Sequence, residues 1–223
     1  GMKRLMDSIR ELRWKQEKKL ICFDLDGTLT QHKTQLTAAN RAVLDTLAKR
    51  YEIIMAGAGN CKRIYKQMGE YPITILGNYG MAESSIVDGK FQIVREDKAQ
   101  VDKKFFEKSC NYLRKKYGYT DFSGESLEYH ESGMVTFGLL GTKAGKEAKL
   151  TFDPDKIKRR AMFPEVKEIF KDYSVFIGGT TSFDITPKQY NKLDAVLRYA
   201  AEHGYSFDQI LFVGDDFADG GND

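Results

Sequence analysis

The segment Leu20-Ile21-Cys22-Phe23-Asp24-Leu25-Asp26-Gly27-Thr28-Leu29-Thr30 constrains the fold more than any other part of the chain. Four apolar residues run without a break into two carboxylates, and a glycine turn follows. A strand that is apolar on both faces belongs inside a parallel sheet covered by helices on either side. Charges that appear only at its carboxyl end therefore mark the crevice where open α/β sheets bind ligands. Acids at i and i+2 project to the same side of an extended backbone, which makes Asp24 and Asp26 candidates for shared chemistry. An ordinary Asp-Gly turn accounts for Asp26-Gly27 but leaves Asp24 and the hydroxyl of Thr28 unexplained.

The rest of the sequence supplies what such a strand needs. Apolar segments of period 3.6 alternate with short apolar runs, the pattern of strand-helix-strand units. Residues 2–19 read as a charged amphipathic helix with Leu5, Ile9 and Leu12 on one face. Thr37 caps an expected helix over 38–51, and a second strand over 52–56 ends in Gly57-Ala58-Gly59-Asn60. A helix over 62–68, a strand over 73–76 and a hairpin turning on Asp88-Gly89 follow. From about residue 97 a charge-rich stretch interrupts the alternation: a helix over 98–117, a strand pair within 127–140, a helix over 155–173, and strands at 175–177 and 182–185. A helix over 191–202 ended by Gly204 and a last strand over 209–213 resume it. The expected fold is α/β, a Rossmann-like doubly wound parallel sheet with an inserted α+β cap: core 1–96, cap 97–186, core 187–223.

Composition narrows the setting. With 223 residues, 41% hydrophobic and 30% charged, the chain has enough apolar material for a buried core and too much for disorder. No apolar run approaches the roughly 20 residues of a bilayer span, and the charged first twenty residues do not resemble a signal peptide. Gly1-Met2 reads as a tag remnant ahead of the native start. Cys22, Cys61 and Cys110 are odd in number and widely spaced, matching neither a disulfide framework nor a zinc site, so a reducing cytoplasm is the expected home. A net charge of +3 is small for a nucleic-acid binder and suits an anionic metabolite.

The final strand also runs into acids, in Gly214-Asp215-Asp216-Phe217-Ala218-Asp219-Gly220-Gly221-Asn222-Asp223. Carboxylates gathered from two strand ends repel unless a cation lies among them, and oxygen-only ligands favour Mg²⁺. Lys192, in the first turn of an expected helix, opposes the favourable dipole arrangement and so suggests an anionic partner. His32, His130 and His203 are scattered and read as structural or surface residues. The basic run over 156–160 reads as a solvated helix face, with contact to a sugar phosphate from the cap as the alternative. Tyr65, Tyr79 and Tyr129 suit equally the lining of the cap interface and packing in the core or at its rim.

Asp24-Leu25-Asp26-Gly27-Thr28-Leu29-Thr30, Lys192 and Gly214-Asp215-Asp216, in that order, resemble the motifs of the haloacid dehalogenase superfamily of phosphotransferases, which carry a cap after the third strand. The resemblance implies Asp24 as the nucleophile that accepts the phosphoryl group and Asp26 as the acid/base. It implies Lys192 as the neutralising cation, and Mg²⁺ held by Asp24, the main-chain carbonyl of Asp26 and Asp215. A second acid is implied in one of two registers, Asp219 or Asp223. Where the superfamily places a Ser or Thr on the phosphoryl group, this chain has Ala58-Gly59-Asn60, whose backbone N–H groups remain to cradle the anion, and turnover is expected to be slow.

The stretch from Gly178 to Pro187, with Lys192 and the closing Gly214–Asp223 segment, is similar to the eukaryotic-type phosphomannomutases, whose caps bind a distal phosphate through arginines. Glu131, Thr142 and Lys149 stand where arginines are expected, which favours hydrolysis over mutase chemistry. Family members continue with a further strand and helix beyond the point matching Asp223. The expected activity is a Mg²⁺-dependent phosphatase acting on a small phosphorylated metabolite, a sugar phosphate by class, without nucleic-acid or membrane partners. A hexose phosphate mutase, or a catalytically weak phospho-ligand binder, is the alternative. Oligomeric state is left open.

Overall fold

The computed structural model describes residues 2–13, 17–31, 33–217 and 220–223. Asp219, His32 and the side chain of Leu12, all singled out above, lie outside the described residues. The chain divides into two compact units, one of residues 1–96, 192–216 and 223, the other of residues 97–191 and 217–222.

The first unit is a six-stranded sheet. Strand β1 (Leu20–Phe23) is buried throughout and pairs in parallel with β10 (Ile210–Val213) on one side and β2 (Glu52–Ala56) on the other. Strand β3 (Thr74–Gly77) extends the parallel set, and the antiparallel β4 (Ala82–Val87) and β5 (Lys90–Glu96) complete the order β10-β1-β2-β3-β4-β5. The β4–β5 turn is Asp88-Gly89 with φ of 51° and 74°, the left-handed pair a two-residue hairpin needs.

Alternation along β1 explains the two helical layers. Ile21 and Phe23 enter a cluster with Ile9 of α1 (Met2–Arg13), Leu44 and Leu47 of α2 (Ala38–Ala48), and Ile64 of α3 (Cys61–Gln67). Leu20 and Cys22 face the other way, onto Ala195, Val196 and Tyr199 of α7 (Lys192–Glu202). The α/β expectation therefore holds, with an antiparallel hairpin added to the parallel strands.

The second unit is an antiparallel sheet in the order β6 (Leu127–Tyr129), β7 (Val135–Gly138), β9 (Ser182–Pro187), β8 (Tyr173–Gly178). One face, through Val135, Phe137, Phe183 and Ile185, packs on Phe106 and Leu113 of α4 (Lys103–Tyr117) and on Met162 and Val166 of α6 (Ile157–Ile169). Helix α4 starts five residues later than the sequence suggested because the Asp102 carboxylate captures the N–H of Phe105 at 3.1 Å. Helix α6 stops at Ile169, since Tyr173 already opens β8. Helix α5 (Lys146–Phe152) was not foreseen; it buries no residue, so it carries no apolar stripe to read. Among the described residues no helix is long and apolar enough to cross a membrane.

The basic run over 156–160 corrects an expectation: Arg159 is 1% exposed, not solvated. Its Nε donates to Oδ2 of Asp153 at 2.8 Å, and Nη1 donates to the carbonyls of Gly178, Gly179 and Ser182 at 2.8, 3.2 and 3.2 Å. Burial pushes the Asp153 carboxyl up, but hydrogen bonds from Arg159 and from the N–H of Lys158 outweigh it and hold it below its ordinary value. One guanidinium thus ties the start of α6 to the β8–β9 turn. Arg159→Met removes a donor from a buried carboxylate and from four carbonyls, that of Asp153 included, an expected loss of about 3–5 kcal/mol in urea unfolding. A loss under about 1 kcal/mol, the range of an exposed pair, would refute this role.

Candidate active site

The parallel register of β1 with β10 aligns Phe23 with Val213, so the two acidic strand ends are side by side. The N–H of Asp24 continues the ladder onto the carbonyl of Val213 at 2.9 Å, and Asp24 is 6% exposed. Beyond it the chain turns: the carbonyl of Leu25 accepts the N–H groups of Thr28, Leu29 and Thr30 at 3.2, 3.0 and 3.0 Å. Gly27, at φ +86°, closes this turn directly against Asp215; a Cβ there would stand 2.6 Å from Cγ of Asp215. Any other residue displaces that carboxylate.

Lys192, the first residue of α7, is 1% exposed, and its Nζ donates to Oδ1 of Asp24 and to Oδ1 of Asp223, each at 2.7 Å. Oδ2 of Asp223 accepts the N–H groups of Asp215 and Asp216, both at 2.9 Å, which fastens the turn after β10. Burial alone would lower the Lys192 ammonium; Asp24 and Asp223 outweigh it and hold its pKa above the ordinary value. Burial pushes the Asp24 carboxyl up to about 6, Lys192 draws it down, and Asp223 adds to the rise.

Asp24, Asp215 and Asp223 offer oxygens that all lie within 4.8 Å of one another. Three carboxylates against one ammonium leave two negative charges, and the donor set is oxygen alone. That is the chemistry of a Mg²⁺ site, and the residues fit the ion. Asp215 is exposed while Asp24 is buried, so the cluster has an open side. Of the two registers left open for the second acid, Asp223 joins this cluster, and Asp219 lies outside the described residues.

Asp26 is half-buried and engaged elsewhere. Its Oδ1 accepts the N–H of Lys33 at 2.8 Å and Nε2 of Gln67 at 2.7 Å, and Gln67 also reaches Oγ1 of Thr30 at 3.3 Å. Sequence reading missed Gln67, which meets Asp26 only because α3 packs beside the β1 turn; no local pattern marks it.

The loop Gly57–Asn60 follows β2. Its carbonyls at Gly57 and Gly59 accept from Tyr79 and Asn78 at 3.0 and 2.8 Å, while the N–H groups of Ala58, Gly59 and Asn60 take no partner among the described residues. The side chain of Asn60 is occupied, accepting the N–H of Arg63 at 2.8 Å.

The remaining candidates make other contacts. Tyr79 is fully buried, Tyr65 stacks on Phe91 at 4.5 Å, and Lys103 lies 4.9 Å above the ring of Tyr129. His203 stacks on Tyr199 and His130 bonds Thr136 at 2.9 Å. In the second unit Glu131 is exposed and pairs with Lys98 at 3.0 Å, and Nζ of Lys149 donates to the carbonyl of Thr142 at 3.3 Å.

Comparison with known proteins gives a match over residues 21–220 to the family model described as haloacid dehalogenase-like hydrolase. A phosphomannomutase of Encephalitozoon cuniculi is 25% identical over 220 residues, covering 94% of this chain and 84% of that protein. Phosphomannomutase 2 of Dictyostelium discoideum is 28% identical over 220 residues, covering 93% and 86%. Among solved structures, an N-terminally truncated, IMP-bound IMP-nucleotidase of Plasmodium falciparum superposes with a TM-score of 0.62 at 15% identity, covering 92% of this chain and 61% of the other. At that identity the likeness concerns the fold alone.

Proposed function

Because the chain belongs to the haloacid dehalogenase-like hydrolase family, we propose that it is a Mg²⁺-dependent phosphatase that hydrolyses a small phosphorylated metabolite, a sugar phosphate by class, through an aspartyl-phosphate intermediate. The observation that carries this reading is a buried Asp24 held at 2.7 Å by Lys192, with Asp215 and Asp223 completing an oxygen cluster within 4.8 Å. An acid in that position has its carboxylate fixed and its charge balanced before substrate arrives.

In the first displacement an oxygen of Asp24 attacks phosphorus, the bond to the leaving oxygen breaks, and Asp26 delivers a proton to that oxygen. In the second, water attacks the phosphorus, Asp26 takes the water's proton, the bond to Asp24 breaks, and inorganic phosphate leaves. Gln67 and the N–H of Lys33 keep Asp26 in one orientation for both transfers. Lys192 offsets the charge of Asp24 and of the phosphoryl oxygens, and the free N–H groups of Ala58, Gly59 and Asn60 supply further donors. Mg²⁺, when held by Asp24, Asp215 and Asp223, supplies electrostatic neutralisation of the phosphoryl group.

Hydrolysis is preferred to a mutase reaction because a mutase must grip phosphate at both ends of its substrate. Glu131, exposed and ion-paired with Lys98, is by the resemblance the counterpart of a phosphomannomutase arginine, and a carboxylate offers no bidentate donors to a phosphate. The three buried free thiols support a reducing, cytoplasmic setting.

The test is phosphate release from a panel of sugar phosphates, in Mg²⁺ and in EDTA. Turnover of at least one sugar phosphate that EDTA abolishes and added Mg²⁺ restores is the expected result. Release from none of them refutes the reading, and bisphosphate-dependent isomerisation of mannose phosphate would replace it with the mutase.

A further inference from the structure

We propose that Arg63 is a second phosphate-binding cation of this site, lying over Gly59 in the place of a side-chain hydroxyl. The inference rests on the phosphatase reading above and adds a residue to it. Arg63 sits on α3 four residues before Gln67, so the two share one helix face. Gln67 reaches Oδ1 of Asp26, the proposed acid/base, at 2.7 Å, so that face meets the β1 turn.

Helical side chains lean back over the preceding turn, and Arg63 does so onto the loop. A Cβ built on Gly59 would stand 2.6 Å from Nε and 2.7 Å from Cζ of Arg63. The guanidinium therefore fills the volume in which residue 59 would carry a side chain, and only glycine leaves it there. Beside it are the unpartnered N–H groups of Ala58, Gly59 and Asn60. The guanidinium itself makes no hydrogen bond or ion pair with any described residue; only the backbone N–H of Arg63 is engaged, by Asn60.

Lys66 and Lys192 differ in this respect. Lys66 is paired with Glu70, and Lys192 is paired with two carboxylates. Arg63 is thus a cation standing at the loop with its donors uncommitted. A planar fork of N–H donors matches two phosphate oxygens at once, which one hydroxyl does not.

The experiment is calorimetric titration of the full chain with inorganic phosphate in Mg²⁺, for wild type, Arg63→Gln, Arg63→Lys and Arg198→Gln. Arg198 is an exposed arginine paired with Glu202 at 3.1 Å and serves as the charge-matched control. Losing a charge-assisted bidentate contact is expected to raise the dissociation constant about tenfold or more in Arg63→Gln, with Arg63→Lys between and Arg198→Gln unchanged. Phosphate binding by Arg63→Gln equal to wild type, or an equal weakening by Arg198→Gln, overturns the assignment, as does a wild type that binds no phosphate. Phosphate binding that depends on Arg63 in a chain that hydrolyses no sugar phosphate would retain Arg63 and refute the phosphatase. Hydrolysis with Arg63-independent binding would do the reverse.

Discussion

Asp24→Asn is expected to lower phosphate release by on the order of 10⁴-fold or more, since it removes the nucleophile of the proposed covalent route. The substitution changes little else. Asparagine has nearly the same volume, and Lys192 keeps its bond to Asp223 at 2.7 Å. One buried negative charge is lost from a cluster that has two in excess, so the apo protein should be no less stable in urea. This combination separates a chemical role from a structural one: activity falls steeply while the unfolding midpoint holds or rises. Phosphate release followed with the best substrate of the panel, beside urea unfolding of the same preparations, reads both. If the variant keeps a tenth or more of wild-type turnover, about 1.4 kcal/mol of barrier at most, Asp24 is not the phosphoryl acceptor.

The reason so much of this site was readable lies in the strands that carry it. Leu20 to Phe23 and Ile210 to Val213 are apolar runs that must lie within the sheet, and their acids follow at once. Parallel pairing then places those acids side by side without further information. Lys192 was readable only in company, because a single lysine at a helix start has no distinguishing pattern. What stayed hidden were contacts made across long separations. Gln67 meets Asp26 across 41 residues and Arg159 meets Gly178 across 19, and neither leaves a periodic trace. Arg159 was misread for a definite reason: a run of Lys and Arg signals a solvated face, and nothing local announces that Asp153 and three carbonyls will draw one member inward. Asp219 and Asp223 are indistinguishable by spacing; the carboxylate of Asp223 accepts the N–H groups of Asp215 and Asp216, and Asp219 lies outside the described residues.

Those same selections bear on the departure at Ala58-Gly59-Asn60. A missing hydroxyl there looks like a defect in sequence, and removing one donor to developing charge commonly costs about 10²-fold in rate. In the fold, the carbonyls of Gly57 and Gly59 accept from Tyr79 and Asn78, and three successive N–H groups take no partner among the described residues. Fixed backbone donors act without reorganising, so the deficit is partly offset before any side chain is counted.

Lys192→Met is expected to act on both activity and stability, with Mg²⁺ offsetting only the loss of stability. Lys192 is 1% exposed and bridges Asp24 and Asp223, whose side chains are 9% and 0% exposed. Removing the ammonium leaves two buried carboxylates facing each other, and breaking such a pair costs about 3–5 kcal/mol. The methionine fills most of the stem's volume, so the loss is electrostatic rather than a cavity. Activity should drop by on the order of 10²–10³-fold, the scale of one lost stabilising donor at developing charge. Stability moves differently, because the cluster now carries three negative charges with no internal cation. A divalent ion binds that cluster in the folded chain and not in the unfolded one, and so raises stability through the folded state. Mg²⁺ should therefore raise the melting temperature of Lys192→Met by more than it raises that of the wild type, while restoring little activity. Thermal melts of both proteins across a Mg²⁺ titration check this. An equal Mg²⁺ response in the two would mean that the lysine and the metal do not share the carboxylates of Asp24 and Asp223, and the proposed division of charge at this site would fail.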